Sequence, residues 1–204
     1  MSENLEFQRY GRNKSTLVNS TYISSGEYRN KFDKITDNKD VNRALYIKAK
    51  EMLLHRSGTL YEDMYWFDAD TGEVIAKEVN SFEEEQILYS ESINRAIEGR
   101  SNVIAVHTHP CSMSPSIADF NSVKDHNYML GIVLCHDGKI FCYKSDETIT
   151  KMMYNLYVAD YYLQFQDEYL AQIEALKELS ETYDIEFWEV QQHGKKRICT
   201  RRSF

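Results

Sequence analysis

An unbroken apolar run, NVIAVHTH at residues 102–109, is the clearest pattern in the chain, and it stops at two histidines one residue apart. A run that is apolar on both faces is typical of a strand in the middle of a covered sheet. Pro110 then ends strand pairing, and PSIADFNSVKDH (115–126) predicts a helix. Ser116 is well placed to cap the start of that helix, with Asp119 three residues further on.

Two segments predict β-hairpins, because strand-like runs flank turn residues in each of them. TLYEDMYWFDADTGEVIAKEV (59–79) turns at DADTG, where aspartate and glycine favour the reversal. YMLGIVLCHDGKIFCYKSD (128–146) turns at HDGK in the same way. Both hairpins carry enough apolar residues to contribute strands to a buried sheet.

Apolar residues at helical spacing predict three further helical regions: residues 37–58, 89–99 and 147–183, the last as one long helix or a helical pair. Asp37 or Asp40 can cap the first of these, and Gly58 can end it. The strand-like DIEFWEV (184–190) follows the last region.

This order of elements predicts an α/β fold in which a mixed sheet is flanked by helices. We divide the chain into a polar N-terminal arm at residues 1–36, a core domain at 37–146 and a C-terminal helical extension at 147–204. Within the arm, STLVNSTYI (15–23) predicts a short strand. The extension ends in the basic run GKKRICTRRSF (194–204), which we interpret as a flexible solvated tail.

Composition and charge narrow the possible functions. The chain has 204 residues, of which 42% are hydrophobic and 27% charged, as in ordinary globular proteins. Its net charge of −8 argues against binding nucleic acid. No segment approaches the roughly 18 consecutive apolar residues of a membrane span, and the N-terminus has no apolar core of a signal peptide. Its four cysteines form no CxxC pair, so we expect a protein of the reducing cytoplasm, not of a membrane.

The candidate chemistry lies where the central strand ends. Residues i and i+2 of a strand point to the same side, so His107 and His109 are expected to project together. With the carboxylate of Asp119 they make three ligands for a divalent metal and leave a fourth position for water, as in catalytic zinc sites. Nitrogen and oxygen donors without a thiolate suit zinc first, and manganese or iron less well.

The segment HTHPCSMSPSIAD resembles the JAMM (MPN+/JAB) metalloprotease motif, HxHP followed by SxxD. The resemblance covers about residues 40–145 and implies a JAB/MPN-like fold with a layering similar to that of cytidine deaminases. It also implies that His107, His109 and Asp119 bind zinc and that Ser116 stabilises the oxyanion. The family commonly places seven residues between the second histidine and the serine, whereas this chain has six. The sequence flanking the motif resembles that of family members from phages and mobile elements.

In this family an upstream glutamate on the first strand after the first helix is the general base, and Glu62 matches that position. Its neighbour Asp63 is expected to point to the other face of the sheet. Glu73, Glu78 and the run Glu83, Glu84 and Glu85 are alternatives, but they fall in a turn or in a charged connection that we expect to be solvated. Cys111 is interpreted as a bystander in the loop.

The resemblance therefore predicts a zinc-dependent peptidase or isopeptidase acting on an amide or isopeptide bond. A ubiquitin-like tail, a phage structural protein and a cell-wall peptide are all possible substrates. One alternative is a non-catalytic MPN-like scaffold that binds protein partners. Another is a different metal-dependent hydrolase, such as a phosphoesterase or a deaminase. Phosphoesterases usually have further His and Asp clusters, which this chain lacks, and the PCxxC signature of deaminases is incomplete in its PCSMS segment.

Overall fold

The computed structural model describes residues 15–192 and 194–199. Within these residues, seven strands form one mixed sheet: β1 (Met64–Asp68), β2 (Val74–Glu78), β3 (Val103–His109), β4 (Leu130–Cys135), β5 (Ile140–Ser145), β6 (Ile185–Gln191) and β7 (Gly194–Cys199). The strands lie side by side in the order β2-β1-β3-β4-β5-β6-β7. The strand that ends at the two histidines, β3, is therefore an interior strand, as its apolar run predicts.

Helices cover both faces of this sheet. The described residues contain α1 (Ser20–Ile23), α2 (Gly26–Phe32), α3 (Lys39–Arg56), α4 (Glu91–Ile97), α5 (Ile117–Asp125), α6 (Lys151–Phe165) and α7 (Glu168–Ser180). The first three helices pack on one face, and α4, α5 and α7 pack on the other. α6 packs against α7, and none of its residues is fully buried.

The sheet is mixed because β3 pairs antiparallel with β1 and parallel with β4. A parallel pair needs a crossover connection, which α5 supplies between β3 and β4. The other neighbouring pairs among the described strands are antiparallel. This topology places the start of α5 directly after the end of β3, on the same side of the sheet as α4 and α7.

Strand alternation divides the core into two clusters. On β1, Tyr65 and Phe67 face α3, whereas Met64 and Trp66 face α4 and α5. All four side chains are buried. Because His107 pairs with Met64 across the β1–β3 ladder, it lies on the α5 side of the sheet.

The sequence predictions for the central elements are confirmed. Both hairpins form, β3 ends at His109, α5 begins after an N-cap at Ser116, and β6 occupies DIEFWEV. The helical region at residues 147–183 is a pair of helices joined at Gln166, whose backbone is left-handed with φ of 52°. The fold is thus α/β, with a mixed sheet flanked by helices.

Three local predictions are wrong. STLVNSTYI contains no strand, because its last residues form α1, which begins after an Asn19 cap. Neither Asp37 nor Asp40 caps α3, since Asn38 Oδ1 accepts the N–H groups of Asp40 and Val41. The basic run is not a free tail over residues 194–199, where β7 pairs with β6; residues 200–204 lie outside the described residues.

The segments on either side of the predicted core domain are continuous with the sheet and its core. Ile23, Tyr28 and Phe32 of α1 and α2 are each no more than 1% exposed and belong to the cluster around α3. Residues 1–14 of the predicted arm lie outside the described residues. β6 and β7 extend the sheet beyond β5. In the described part of the chain, no helix combines the length and apolar character that a membrane crossing needs.

Candidate metal centre

The two histidines of the motif converge at the end of β3. Strand alternation puts His107 and His109 on the α5 side and Thr108 on the opposite side. Their Nε2 atoms lie 2.9 Å apart. His107 is 3% exposed, and the side chain of His109 is 12% exposed. The pair therefore sits at the floor of a cleft instead of on an open surface.

Asp119 reaches the same point from the first turn of α5. Its Oδ1 lies 3.2 Å from His107 Nε2, and its Oδ2 lies 3.6 Å from His109 Nε2. A capping box fixes the turn: the Ser116 hydroxyl accepts the Asp119 N–H, and Asp119 Oδ2 accepts the Ser116 N–H at 2.6 Å. The sequence prediction that these three side chains come together is therefore confirmed.

The spacing of these atoms is close to that of ligands around a metal ion. Ligand atoms held at about 2.0–2.1 Å from zinc in a tetrahedron lie about 3.3 Å from one another. The two histidine nitrogens lie 2.9 Å apart, and Asp119 contacts one of them with Oδ1 at 3.2 Å and the other with Oδ2 at 3.6 Å. His109 Nδ1 lies 3.1 Å from the carbonyl of Met113, which can only accept. Nδ1 therefore carries the proton, and the lone pair of His109 Nε2 is left for a metal.

His107 and Asp119 stabilise each other's charged forms. Burial opposes the charged form of His107, but Asp119 and Glu62 outweigh burial and raise the pKa of His107 above its ordinary value. Burial likewise opposes ionisation of Asp119, but the two histidines and the Ser116 N–H together lower the pKa of Asp119 well below its usual range. Asp119 is thus held as a carboxylate, the form that binds metal. His107 Nδ1 is buried and has no hydrogen-bond partner within the described residues.

Glu62 also reaches this centre. It stands two residues before Met64, so alternation along the start of β1 places it on the His107 side of the sheet. Glu62 is 6% exposed, and one of its carboxylate oxygens lies within 4.8 Å of a ring nitrogen of each histidine. The carboxylate is close enough either to share a metal with the histidines or to accept a proton beside it.

Asp63 points the other way, as strand alternation predicts. Its backbone continues the ladder to Thr108, whose N–H donates to the Asp63 carbonyl and whose hydroxyl accepts the Asp63 N–H. Its side chain is 1% exposed and accepts Arg56 Nε at 2.5 Å on Oδ1. Asp63 Oδ2 lies 2.8 Å from His55 Nδ1. This buried ion pair joins α3 to the chain immediately after Glu62.

Ser116 serves as a helix cap in this structure. Its hydroxyl donates to Asp119 Oδ2 at 2.8 Å while it accepts the Asp119 N–H at 3.3 Å. Ser116 also lines the cleft beside the two histidines. The hydroxyl is therefore positioned within the candidate site, although its hydrogen bonds here belong to the capping box.

A cleft of about 310 Å³ opens over the cluster. Ligand pockets typically start near 300 Å³, so the cleft has room for a scissile amide bond and its neighbours. Among the described residues that line it, four carry carboxylates and none is Lys or Arg: Glu62, Glu85, Asp119 and Glu168 carry the charge. Cys111 also lines the cleft and donates its thiol proton to Glu85 Oε1 at 2.9 Å.

Comparison of the chain with family models, curated proteins and solved structures found no match. We therefore interpret the site from its own geometry and from the motif in the sequence.

Sequence reasoning missed the walls of the cleft. The sequence predicts a solvated connection at Glu85, yet Glu85 lines the cleft and accepts a hydrogen bond from the Cys111 thiol. Glu168 and Gln172 of α7 form the other wall, where Gln172 Nε2 donates to Glu168 and Gln172 Oε1 accepts the Ser114 hydroxyl. No local pattern marks these residues, because they reach the site only through the packing of α7 on the sheet.

Proposed function

We propose that this protein is a zinc-dependent peptidase or isopeptidase, similar in its chemistry to the JAMM metalloproteases. The observation that carries the proposal is the convergence of His107 Nε2, His109 Nε2 and the two carboxylate oxygens of Asp119 at 2.9–3.6 Å, beside a buried Glu62. Two imidazoles and one carboxylate are the ligands of many catalytic zinc sites. The HxHP and SxxD spacing of the chain supports the same assignment.

His107, His109 and Asp119 would hold the zinc ion. When bound, zinc lowers the pKa of a coordinated water toward about 7 and polarises a carbonyl oxygen. The chain prepares this set of ligands in advance. Met113 fixes the tautomer of His109, and the capping box with Ser116 orients the Asp119 carboxylate.

Glu62 would act as general base and then as general acid. Its carboxylate would take a proton from the attacking water and give it to the leaving amine as the C–N bond breaks. The cleft excludes most solvent from Glu62, and the ladder between Asp63 and Thr108 fixes the backbone next to it. A positioned acid–base group of this kind accelerates a reaction by roughly 10²–10⁴.

Ser116 would stabilise the oxyanion that forms at the attacked carbonyl. For this role its hydroxyl must turn from Asp119 Oδ2 toward the substrate oxygen. The Ser116 N–H still holds Asp119 Oδ2 when the hydroxyl turns, so the ligand stays oriented. Because no side chain acts as nucleophile, the reaction does not require Cys111.

The charge of the cleft bears on the substrate. Four carboxylates against a single divalent ion leave the cleft negative overall. We therefore expect better cleavage of amide bonds flanked by lysine or arginine than of bonds flanked by acidic residues. A lysine-linked isopeptide and a basic peptide both meet this condition.

The test is to measure hydrolysis of a panel of peptides and lysine-linked isopeptides by the wild type and by Glu62→Gln, with mass spectrometry as readout and zinc assayed in each sample. Glu62→Gln keeps the shape and removes the proton acceptor, so turnover should fall roughly 10²–10⁴-fold. Glu83→Gln, at an exposed position of the connection between β2 and α4, is the matched control and should keep full turnover. A zinc-loaded wild type that cleaves no substrate of the panel would contradict the proposal and favour a binding scaffold.

A further inference from the structure

α6 presents an apolar face that no described part of the chain covers. Met152 is 71% exposed, Leu156 57% and Leu163 74%. The opposite side of the helix packs on α7 and on the core, where Tyr154 and Tyr157 contact the apolar cluster and Tyr161 donates to Glu178. The exposed residues therefore belong to a separate face, which faces away from the rest of the molecule.

The spacing of this face is that of a helix–helix seam. Met152, Leu156, Ala159 and Leu163 recur at intervals of four, three and four residues. This alternation keeps one stripe of a helix against a partner helix in coiled coils and bundles. α6 has 15 residues, so it presents about 22 Å of length to a partner.

The face is also nearly uncharged. Lys151 and Asp160 are the charged residues of α6, one of each sign. The whole chain carries a net charge of −8, so a long-range repulsion opposes the approach of two copies. The α6 face adds no net charge to that repulsion, because its two charged residues have opposite signs, and its apolar residues gain by leaving water.

We propose that two copies of this chain pair through α6, antiparallel about a two-fold axis. The seam is self-complementary in that orientation. Met152 of one copy lies opposite Leu163 of the other, and Leu156 lies opposite Ala159, so each of these contacts occurs twice, once on each side of the axis. Such an isologous contact uses one surface on both copies and closes at two subunits.

The pairing is weak, because one helix face buries less than the roughly 800 Å² per partner of a standard interface. We therefore expect a dimer that dissociates on dilution. The pairing requires nothing of the metal centre, so loss of zinc binding or of activity leaves this proposal intact.

The test is sedimentation velocity of the full chain from about 1 to 200 μM. The wild type should shift from monomer to dimer across this range, whereas Met152→Lys and Leu163→Glu should each stay monomeric. Phe82→Glu is the control, since Phe82 is 86% exposed but lies outside α6. It should dimerise like the wild type. All variants should keep the wild-type circular dichroism, because the substituted side chains are largely exposed.

A mixture of Met152→Lys and Leu163→Glu tests the orientation. Antiparallel pairing brings the introduced lysine of one variant against the introduced glutamate of the other and leaves the second contact as in the wild type, so the mixture should form a heterodimer. Parallel pairing faces each position with itself and gives no such rescue. A wild type that remains monomeric at 200 μM, single variants that still dimerise, or a mixture that stays monomeric would each overturn the proposal.

Discussion

The buried ion pair behind Glu62 gives a stability prediction with a defined magnitude. Asp63 and Arg56 have side-chain exposures of 1% and 9%, and Asp63 also contacts His55. Two unit charges about 4 Å apart at an effective dielectric constant near 20 attract by about 4 kcal/mol. Asp63→Asn preserves the shape of the side chain but leaves the charge of Arg56 buried without its partner. Breaking a buried pair in this way costs about 3–5 kcal/mol.

Urea unfolding at pH 7, followed by circular dichroism, measures this cost. The control is Glu91→Gln, which removes an ion pair with Arg95 whose side chains are 80% and 72% exposed. That change should alter the free energy of unfolding by less than about 1 kcal/mol. Because the Asp63 carboxylate faces away from the cleft, folded Asp63→Asn protein should keep nearly full turnover. A loss below about 1 kcal/mol for Asp63→Asn would refute the buried pair.

Two further substitutions test the roles of Ser116 and His136. Ser116→Ala should lower stability by about 1 kcal/mol through loss of the helix cap and should reduce kcat roughly 10²–10³-fold through loss of an oxyanion donor; unchanged turnover with lowered stability would leave Ser116 a cap alone. Burial lowers the pKa of His136, whose Nδ1 lies 2.6 Å from the Thr16 carbonyl. The imidazole of His136 therefore binds a proton more tightly in the unfolded chain than in the folded chain. Stability should therefore fall as the pH drops below about 6.5, by up to about 1.4 kcal/mol per pH unit from this group, and His136→Gln should flatten that slope in urea titrations at several pH values. Equal slopes in both proteins would contradict the assignment.

The sequence predicted the elements whose signals are local. An apolar run that ends at HxHP, a serine with an acid three residues later and two glycine-containing turns were sufficient for β3, α5 and both hairpins. α1 and α2 escaped prediction because helices of four and seven residues are not stable by themselves and depend on burying Ile23, Tyr28 and Phe32. β7 has a basic sequence, and it forms a strand through antiparallel pairing with β6.

The candidate site divides in the same way. His107, His109 and Asp119 lie within 13 residues of one another, so strand and helix geometry alone brings them together. The choice of Glu62 depended on the resemblance, which puts the base on the first strand after the first helix, and the antiparallel pairing of β1 with β3 brings that residue beside the histidines. Glu168 and Gln172 come from more than 45 residues further along the chain. Their position follows from how α7 packs on the sheet, which no short pattern encodes.

The central claim is that His107, His109 and Asp119 hold a catalytic zinc ion while Glu62 stays outside the ligand set. Metal content of purified protein, measured by mass spectrometry after stripping and resupply of zinc, tests it most directly. We predict about one zinc per chain for the wild type and for Glu62→Gln, and a loss of stoichiometric zinc for His107→Ala. A wild type without stoichiometric zinc after resupply would contradict the claim, and loss of zinc from Glu62→Gln would make Glu62 a ligand instead of the base.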